Sequence, residues 1–276
     1  MKKTIFITGA SSGIGRATAE HFANKGWNVA ASMRHPEKET QLQINKNIRL
    51  FQLDVTQAES ISKAFEEALE TFGNIEVLVN NAGYGAVGIF EKASPEQVQK
   101  QFDTNVFGLM NVTRTFLPYF RKRKSGTIIN ISSVGGRITF PVYSLYHATK
   151  WAVEGFTESL QFELKPFHIR VKLVEPAAIK TDFYTRSMDV LKDKDIPEYD
   201  QYEKVTIENA MKFGEDAPGP EVVAKTIYKA ATSRGNKMRY PSSAQGKMLL
   251  GLRKTIPNSW FFKIIAAVVE KGYKQA

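Results

Sequence analysis

A glycine-rich loop between an apolar run and a helix restricts the fold of this chain more than any other feature. Residues 4–8 are apolar and β-branched, the loop 9–15 follows directly, and a helical pattern from Arg16 stops at Gly26. A second apolar stretch, 27–33, completes a strand–helix–strand unit of about thirty residues, the span that a parallel crossover requires. The sequence therefore predicts an α/β fold with a glycine loop at the start of its first helix.

Each glycine of the loop has a geometric reason to be there. Gly9 can take the turn out of the strand, Gly13 lets the backbone approach a pyrophosphate, and Gly15 lets the helix pack closely. The helix N-terminus offers unpaired amides to an anion. The spacing has one residue more than the usual dinucleotide fingerprint, and it lacks the Gly-Lys-Ser/Thr ending of phosphate-transferring loops. The loop therefore predicts nucleotide binding.

The alternation of strands and helices continues along the chain. Further strands are predicted at 48–53, 75–79, 127–131, 169–174 and near 238–240. Further helices are predicted at 57–72, 95–121, 144–165 and 219–232. The pattern predicts a doubly wound parallel sheet of about seven strands, a Rossmann fold, in a single domain covering 1–276.

The alternation is lost after Pro176. Residues 180–216 are polar and charged, and we expect them to form a substrate lid, because an insertion after a late strand emerges where ligands bind. An ordinary surface excursion is the alternative. Residues 241–276 are expected to be a C-terminal extension. Its apolar segment 260–269 is about half a membrane span and favours a packed or subunit-interface helix over a membrane-surface anchor.

Composition limits the chemistry and the partners. The chain has no cysteine, which excludes disulfides and a cysteine nucleophile, and its four histidines lack metal-ligand spacing, so we expect no metal. The net charge of +10 suits an anionic small molecule or polymer. Because no basic–aromatic module accompanies it, we expect no nucleic-acid partner. The N-terminal apolar run is too short for a signal peptide, so we expect a cytoplasmic protein without a transmembrane segment.

Several motifs place the glycine loop in a family context. They are Thr8-Gly9-x-x-x-Gly13-Ile14-Gly15, Asn80-Asn81-Ala82-Gly83, Asn105, Ile131-Ser132-Ser133 and Tyr146-x-x-x-Lys150. The last pair alone would arise about once by chance. Together, over residues 4–181, the motifs resemble the short-chain dehydrogenase/reductase family, most closely its hydroxysteroid and retinol dehydrogenase branch. One departure is Glu175-Pro176-Ala177, where the family usually carries Pro-Gly beside the nicotinamide, and the alanine should crowd that loop.

The resemblance implies an oxidoreductase that acts on alcohol and carbonyl groups. Tyr146 would be the general acid/base, Lys150 would favour its phenolate and bind the nicotinamide ribose, Ser133 would polarise the substrate oxygen, and Asn105 would hold a water beside the lysine. The chemistry agrees, because the pKa of a free tyrosine, about 10, must fall to about 7 for this task. A cation one helical turn away acts in that direction. A non-catalytic NADP(H)-binding sensor is the alternative.

The end of the second strand bears on cofactor choice. An acidic residue there would bind the adenine ribose and repel a 2′-phosphate, whereas this chain has Arg34, which suits phosphate. We expect NADP(H), with NAD(H) as the alternative. The cofactor contacts implied by the resemblance are Gly9, Ser11, Ser12, Gly13, Ile14, Gly15, Arg34, Asp54, Val55, Asn81, Ala82, Gly83, Tyr146, Lys150, Pro176, Ala177, Ile179 and Thr181. For Asp54, a role in its own turn is the alternative.

Candidate substrate positions are mostly apolar or aromatic. They are Tyr84, Val87, Val134, Phe140, Val142, Tyr143, Phe183 and Tyr184. They favour a hydrophobic alcohol or ketone, although ordinary core packing would explain many of them equally well. The resemblance also implies a homodimer or homotetramer formed through the helices 95–121 and 144–165.

Overall fold

The computed structural model describes residues 2–181 and 188–273. Seven strands form one parallel sheet in the order β3-β2-β1-β4-β6-β7-β9, and β5 pairs with β8 in a separate parallel ladder. The strands are β1 (Thr4–Thr8), β2 (Asn28–Met33), β3 (Ile48–Gln52), β4 (Val77–Asn80), β5 (Gly85–Val87), β6 (Gly126–Ile131), β7 (Ile169–Glu175), β8 (Met188–Val190) and β9 (Arg239–Pro241). The predicted doubly wound sheet is confirmed.

Helices cover both faces of the sheet. They are α1 (Gly13–Asn24), α2 (Ala58–Phe72), α3 (Pro95–Phe102), α4 (Leu109–Arg123), α5 (Ser144–Leu164), α6 (Asp200–Glu215), α7 (Glu221–Thr232), α8 (Ala244–Thr255) and α9 (Asn258–Val269). Because successive strand residues point to opposite faces, Ile5 and Ile7 pack with α1 and α7, whereas Phe6 packs with α2, α4 and α5. Strands buried on both faces explain why the sequence shows continuous apolar runs.

The strand order reverses between β1 and β4. Ligands of open α/β sheets bind outside the carboxyl ends of the strands at such a switch point. The glycine loop follows β1, and Asn81-Ala82-Gly83 follows β4. The fold therefore brings two of the predicted motifs to one edge of the sheet.

The predicted helix over 95–121 is helical throughout, but it contains a widened turn that the sequence did not predict. Ser94 and Gln97 form a capping box, but α3 ends at Phe102, and the π-helical turn Asp103–Gly108 separates it from α4. Gly108 passes so close to the 53–56 loop that a Cβ there would lie 2.8 Å from Val55 Cγ2. Hydrophobic periodicity cannot predict a single widened turn, because the apolar positions on either side of it still have helical spacing. The first helix also begins earlier than predicted, at Gly13.

The described part of the predicted lid segment includes β8 and α6. β8 pairs with β5, and α6 is attached at both ends. Lys92 Nζ donates to Asp200 at 3.0 Å and to Glu203 at 2.8 Å. Asn209 Nδ2 donates to the Val269 carbonyl at the end of α9, at 2.9 Å. The segment is therefore tied to the α3 side and to the C-terminal helices.

The C-terminal helices pack beside the loop that follows β6. Phe261, Ile265 and Val269 of α9 are buried in a cluster with Val134 and Ile138. Within the described ranges, no helix is both long enough and apolar enough to cross a membrane. One face of the apolar helix α9 is therefore packed, and the face that carries Trp260, Ile264 and Val268 is exposed.

Candidate active site

A cleft of about 900 Å³ opens at the carboxyl edge of the sheet. Loops after β1, β4, β6 and β7 form its floor, and α6, α8 and α9 contribute to its wall. The predicted site residues that line it are Gly9, Ser11, Ser12, Gly13, Ile14, Arg34, Asp54, Val55, Asn81, Ala82, Gly83, Ser133, Tyr146, Lys150, Pro176, Ala177, Ile179 and Thr181. Two predicted site residues, Gly15 and Asn105, are not part of this lining and lie behind it. Tertiary folding thus gathers residues from seven separate segments of the chain into one cavity.

The glycine loop is shaped by close backbone contacts. Gly9 has φ +68°, and a Cβ there would lie 2.9 Å from Ala82 Cα. A Cβ at Gly15 would collide with the carbonyl oxygen of Gly9, so this residue keeps the start of α1 against the loop. At Gly13, with φ +51°, the nearest atom to a Cβ would be 3.4 Å away, on Thr181. Gly13 therefore lines the cleft close to the Thr181 side chain.

Asn81 joins the two loops at the switch point. Its Nδ2 donates to the carbonyls of Thr8 at 2.9 Å and Gly9 at 3.0 Å. Thr8 Oγ1 accepts from the backbone N–H groups of Asn81 and Ala82, both at 3.0 Å. Asn81 therefore fixes the shape of the glycine loop as well as lining the cleft.

Arg34 and Asp54 lie at the end of the cleft next to β2 and β3. Arg34 follows β2 and is exposed. Asp54 Oδ1 accepts from Thr56 N at 2.9 Å and from Thr56 Oγ1 at 2.8 Å. Asp54 therefore has the turn role considered as its alternative, and it also lines the cleft.

Lys150 and Tyr146 lie one helical turn apart on α5. Lys150 is buried, its Nζ donates to the Ile131 carbonyl at 2.9 Å, and the same atom lies 5.7 Å from the centre of the Tyr146 ring. Burial lowers the pKa of Lys150 to about 8, and the nearby carboxylate of Glu154 opposes this shift. The ammonium group is therefore held between the end of β6 and the tyrosine.

Ser133 caps the short helical turn after β6. Its Oγ accepts from Gly135 N at 3.0 Å and donates to the Pro176 carbonyl at 3.3 Å. Neighbouring Ser132 is buried, and a Cβ at Gly136 would lie 2.7 Å from its Oγ. The hydroxyl of Ser133 thus connects the loop after β6 to the loop after β7.

Ala177 lies in the loop after β7, which we expected it to crowd. It packs against the cluster that contains Phe261 and Ile265 of α9.

Asn105 holds the loop after β4 from behind. Its Oδ1 accepts from Tyr84 N at 3.0 Å, and its Nδ2 donates to the Tyr84 carbonyl at 2.9 Å and to Thr149 Oγ1 at 3.2 Å. The π-helical turn carries this side chain to the Tyr84 backbone. Asn105 therefore links the cleft floor to α5, and the water-holding role implied by the resemblance stays a prediction.

His147 is a site residue that sequence reasoning missed. It is buried beside Tyr146, its Nε2 accepts from Phe140 N at 3.0 Å, and its Nδ1 lies 2.9 Å from the Gly135 carbonyl. Because Nε2 accepts, Nδ1 must carry the proton and donate. Burial lowers the pKa of His147 to about 4. The neutral imidazole thus holds both ends of the loop 135–140. In the sequence it is only a spacer between Tyr146 and Lys150.

The substrate positions were predicted with mixed success. Tyr84, Val134, Phe140 and Tyr143 line the cleft, whereas Phe183 and Tyr184 lie outside the described residues. The prediction was wrong for Val87 and Val142, which are buried behind the lining, Val87 in β5 and Val142 in a left-handed backbone conformation, φ +61°. Missed lining residues come from β8 and the later helices. They are Met188, Asp189, Ala210, Gln245, Leu249, Ile264, Ile265, Val268 and Val269.

Tyr84 differs from Tyr146 in its electrostatic setting. Its hydroxyl is buried in the cleft without a hydrogen-bond partner among the described residues. Burial, reinforced by the carboxylates of Asp189 and Asp103, raises the pKa of Tyr84 to about 12. This tyrosine therefore keeps its proton near neutral pH and can donate a hydrogen bond, but it is not available as a base.

The switch-point cleft, with its glycine loop, serine and tyrosine–lysine pair, defines a Rossmann-fold protein of the oxidoreductase class. The family model described as short chain dehydrogenase matches residues 3–190. The chain belongs to this family and is an oxidoreductase. The family and enzyme class predicted from the motifs are confirmed.

Two curated relatives extend the comparison. An uncharacterized oxidoreductase, YusZ, of Bacillus subtilis is 39% identical over 270 residues, covering 94% of this chain and 96% of the relative. The 3-ketodihydrosphingosine reductase of Bacteroides thetaiotaomicron is 44% identical over 179 residues, 65% of either chain. The similarity to YusZ therefore extends well beyond the motif-bearing part of the chain.

Solved structures share the architecture. A short-chain dehydrogenase from Streptomyces avermitilis has a TM-score of 0.81 at 32% identity, covering 98% of this chain and 96% of its own. ElxO, solved with NADP bound, has a TM-score of 0.73 at 29% identity, covering 88% and 98%. A Burkholderia phymatum family member in complex with NAD has a TM-score of 0.79 at 25% identity, covering 92% and 93%. Similar structures thus bind either dinucleotide.

Proposed function

We propose that this protein is an NADP(H)-dependent oxidoreductase that interconverts a hydrophobic alcohol and its ketone or aldehyde. One observation carries the proposal. The buried ammonium of Lys150 lies 5.7 Å from the centre of the Tyr146 ring, in the cleft that Ser133 and the glycine loop also line. A cation at this place favours the phenolate of Tyr146, which an acid/base near neutral pH requires.

The residues present fit a nicotinamide dinucleotide. Gly9 and Gly13 take left-handed backbone conformations at the N-terminus of α1, where amides suit a pyrophosphate. Such a cofactor, when bound, supplies or accepts the hydride. In our proposal the chain moves the proton, which Tyr146 gives to the carbonyl oxygen during reduction and takes from the alcohol during oxidation. Ser133 donates a hydrogen bond to the oxygen as its negative charge develops.

Cofactor preference depends on Arg34 in our proposal. Its guanidinium suits a 2′-phosphate, and it lines the cleft next to β2. Similar structures contain NADP or NAD, so the family alone leaves the choice open. We propose NADP(H) because Arg34 favours a phosphate where an acidic residue would repel it.

The substrate class follows from the wall of the cleft. Phe140, Leu249, Ile264 and Val268 are among the residues that line it. Apolar lining with few polar groups is typical of sites for apolar ligands. One relative is named a 3-ketodihydrosphingosine reductase, which supports an apolar ketone. A steroid-like or retinoid-like substrate remains our alternative within this class.

The remaining sequence predictions complete the proposal. We propose a single domain in which the segment 180–216 is a substrate lid, in a cytoplasmic protein. We also propose a homodimer or homotetramer formed through α4 and α5. Phe107, Trp151 and Phe162, at or near these helices, are 48%, 48% and 73% exposed, which supports a contact there. Light scattering after gel filtration measures the mass.

A carbonyl and alcohol screen with NADPH and NADH in parallel tests the class, cofactor and substrate together. On the substrate found, Tyr146→Phe should abolish turnover and retain NADPH binding. Tyr143→Phe is the matched control, because its ring centre lies 6.3 Å from that of Tyr146 in the same cleft. Full turnover by Tyr146→Phe would refute the mechanism. A folded protein that binds NADPH but turns over no substrate would favour the sensor alternative.

A further inference from the structure

The helix α9 is apolar on nearly all sides, yet one of its apolar faces is exposed. Nine of its twelve residues are apolar and Lys263 is its one charged residue. Phe261, Ile265 and Val269 are buried, whereas Trp260, Ile264 and Val268, on the adjacent face, are 64%, 44% and 46% exposed. A helix that is apolar all round is normally enclosed by protein or lipid. Its exposed side therefore needs an occupant.

The two C-terminal helices that form this face are basic. Residues 244–271 contain five basic side chains and one acidic side chain, a net charge of +4. The acidic one, Glu270, accepts a hydrogen bond from Tyr202 Oη at 2.8 Å. Lys254, Lys263 and Lys271 are exposed. An apolar face next to lysines is complementary to a lipid surface, which has an apolar interior and anionic headgroups.

A second copy of the chain fits this face less well. A two-fold contact brings the same patch of both subunits together, so the lysines around α9 would approach their own copies and repel them. An anionic lipid surface neutralises those lysines and accepts the exposed aromatic rings. The helix is about 18 Å long at 1.5 Å per residue, which is enough to lie in the interface but too short to span it.

We propose that α9 and the adjacent end of α8 dock on an anionic lipid surface. Trp260 and Phe262 would enter the headgroup region, and Lys254 and Lys263 would face the anionic headgroups. Sequence alone favoured a packed or subunit-interface helix here. The observed exposure of Trp260 and Phe262, 64% and 47%, leads us to this different proposal.

The cleft opens on the same side of the molecule. Ile264 and Val268 belong to the exposed face and also line the cleft. An apolar substrate could therefore pass from lipid to the site along these side chains without full exposure to water. This substrate path from lipid to the cleft rests on the proposed function, whereas the docking of α9 on lipid does not.

Flotation of the full chain with phosphatidylcholine vesicles, with and without added phosphatidylglycerol, tests the docking. We expect binding to the anionic vesicles alone, weakened by salt.

Lys263→Gln should bind about fivefold more weakly, which corresponds to about 1 kcal/mol per basic residue. Its control is Lys63→Gln on α2, where the side chain is 75% exposed. Trp260→Ser with Phe262→Ser should lose more than about tenfold.

The control for the aromatic pair is Ile44→Ser with Phe90→Ser, at residues that are 76% and 57% exposed and outside α8 and α9. Absence of binding by the wild-type protein, or equal binding by the aromatic variant, overturns the proposal. A lower oligomer mass for that variant also overturns it, in favour of self-association. If the aromatic variant does not fold, Lys263→Gln and the salt dependence still decide. Flotation needs no turnover, so a failed substrate screen would refute the proposed function alone.

Discussion

Replacing Lys150 with methionine should separate the stability of this protein from its activity. The folded-state pKa of Lys150 is about 8, against a usual value of 10.5. Below pH 8 the buried ammonium is therefore a cost to the fold, of about 3 kcal/mol at about 1.4 kcal/mol per pKa unit. Methionine has a similar length and no charge, so it removes this cost. It also removes the hydrogen bond to the Ile131 carbonyl, which offsets part of the gain.

The pH dependence isolates the charge from the lost hydrogen bond. Because the folded-state pKa lies below the unfolded-state value, the unfolded chain binds more protons between pH 8 and 10.5. The contribution of Lys150 to the free energy of unfolding therefore rises with pH through this window. From pH 7 to pH 10 the rise is about 2.5 kcal/mol in the wild-type protein, and the variant should lack it.

Urea unfolding of both proteins at pH 7, 8, 9 and 10, at equal protein concentration, measures this difference. Groups that titrate in both proteins cancel in the comparison. Glu154→Gln is a useful second variant, because the Glu154 carboxylate opposes the lowered pKa and its removal should move the window to lower pH. A wild-type minus variant difference that stays constant with pH would refute a buried, charged Lys150. Turnover by Lys150→Met should fall steeply at every pH.

The remaining predictions concern groups around the same cleft. His147→Gln should lower kcat more than it weakens NADPH binding, because the loop 135–140 loses its support. Since burial lowers the pKa of His147 to about 4 from 6.5, the wild-type protein should lose stability relative to this variant as pH falls through that window, by about 3 kcal/mol in thermal melts. Arg34→Asp should shift the kcat/KM ratio towards NADH, and an unchanged ratio would contradict our cofactor assignment. Asn105→Ala should cost about 1–3 kcal/mol in urea unfolding, because it leaves the Tyr84 backbone N–H unpaired.

The alternation of apolar runs and helices was sufficient to predict the sheet. Phe6 lies between Ile5 and Ile7, and all three are buried because both faces of the sheet are covered. The motifs were similarly informative, because Gly9, Asn81 and Tyr146 follow or begin regular elements whose ends meet at one edge.

Local pattern was insufficient where one side chain makes contacts across the fold. The side chain of Asn105, in the π-helical turn, bonds to the Tyr84 backbone, which lies about twenty positions earlier in the chain. The two hydrogen bonds of His147 join it to a loop that only the folded chain brings near. An asparagine at position 105 and a histidine at position 147 do not by themselves predict these hydrogen-bond partners.

The sequence by itself determined the fold class, the family and the set of polar groups at the switch point, because these depend on periodicity and on the spacing of a few residues. The tertiary structure decided which residues support those groups and which enclose the cleft. It brought α9 to the cleft and left Trp260 exposed beside it. The physical reason is that burial, lowered pKa values and an uncovered apolar face arise from the packing of distant segments, which no local stretch of sequence contains.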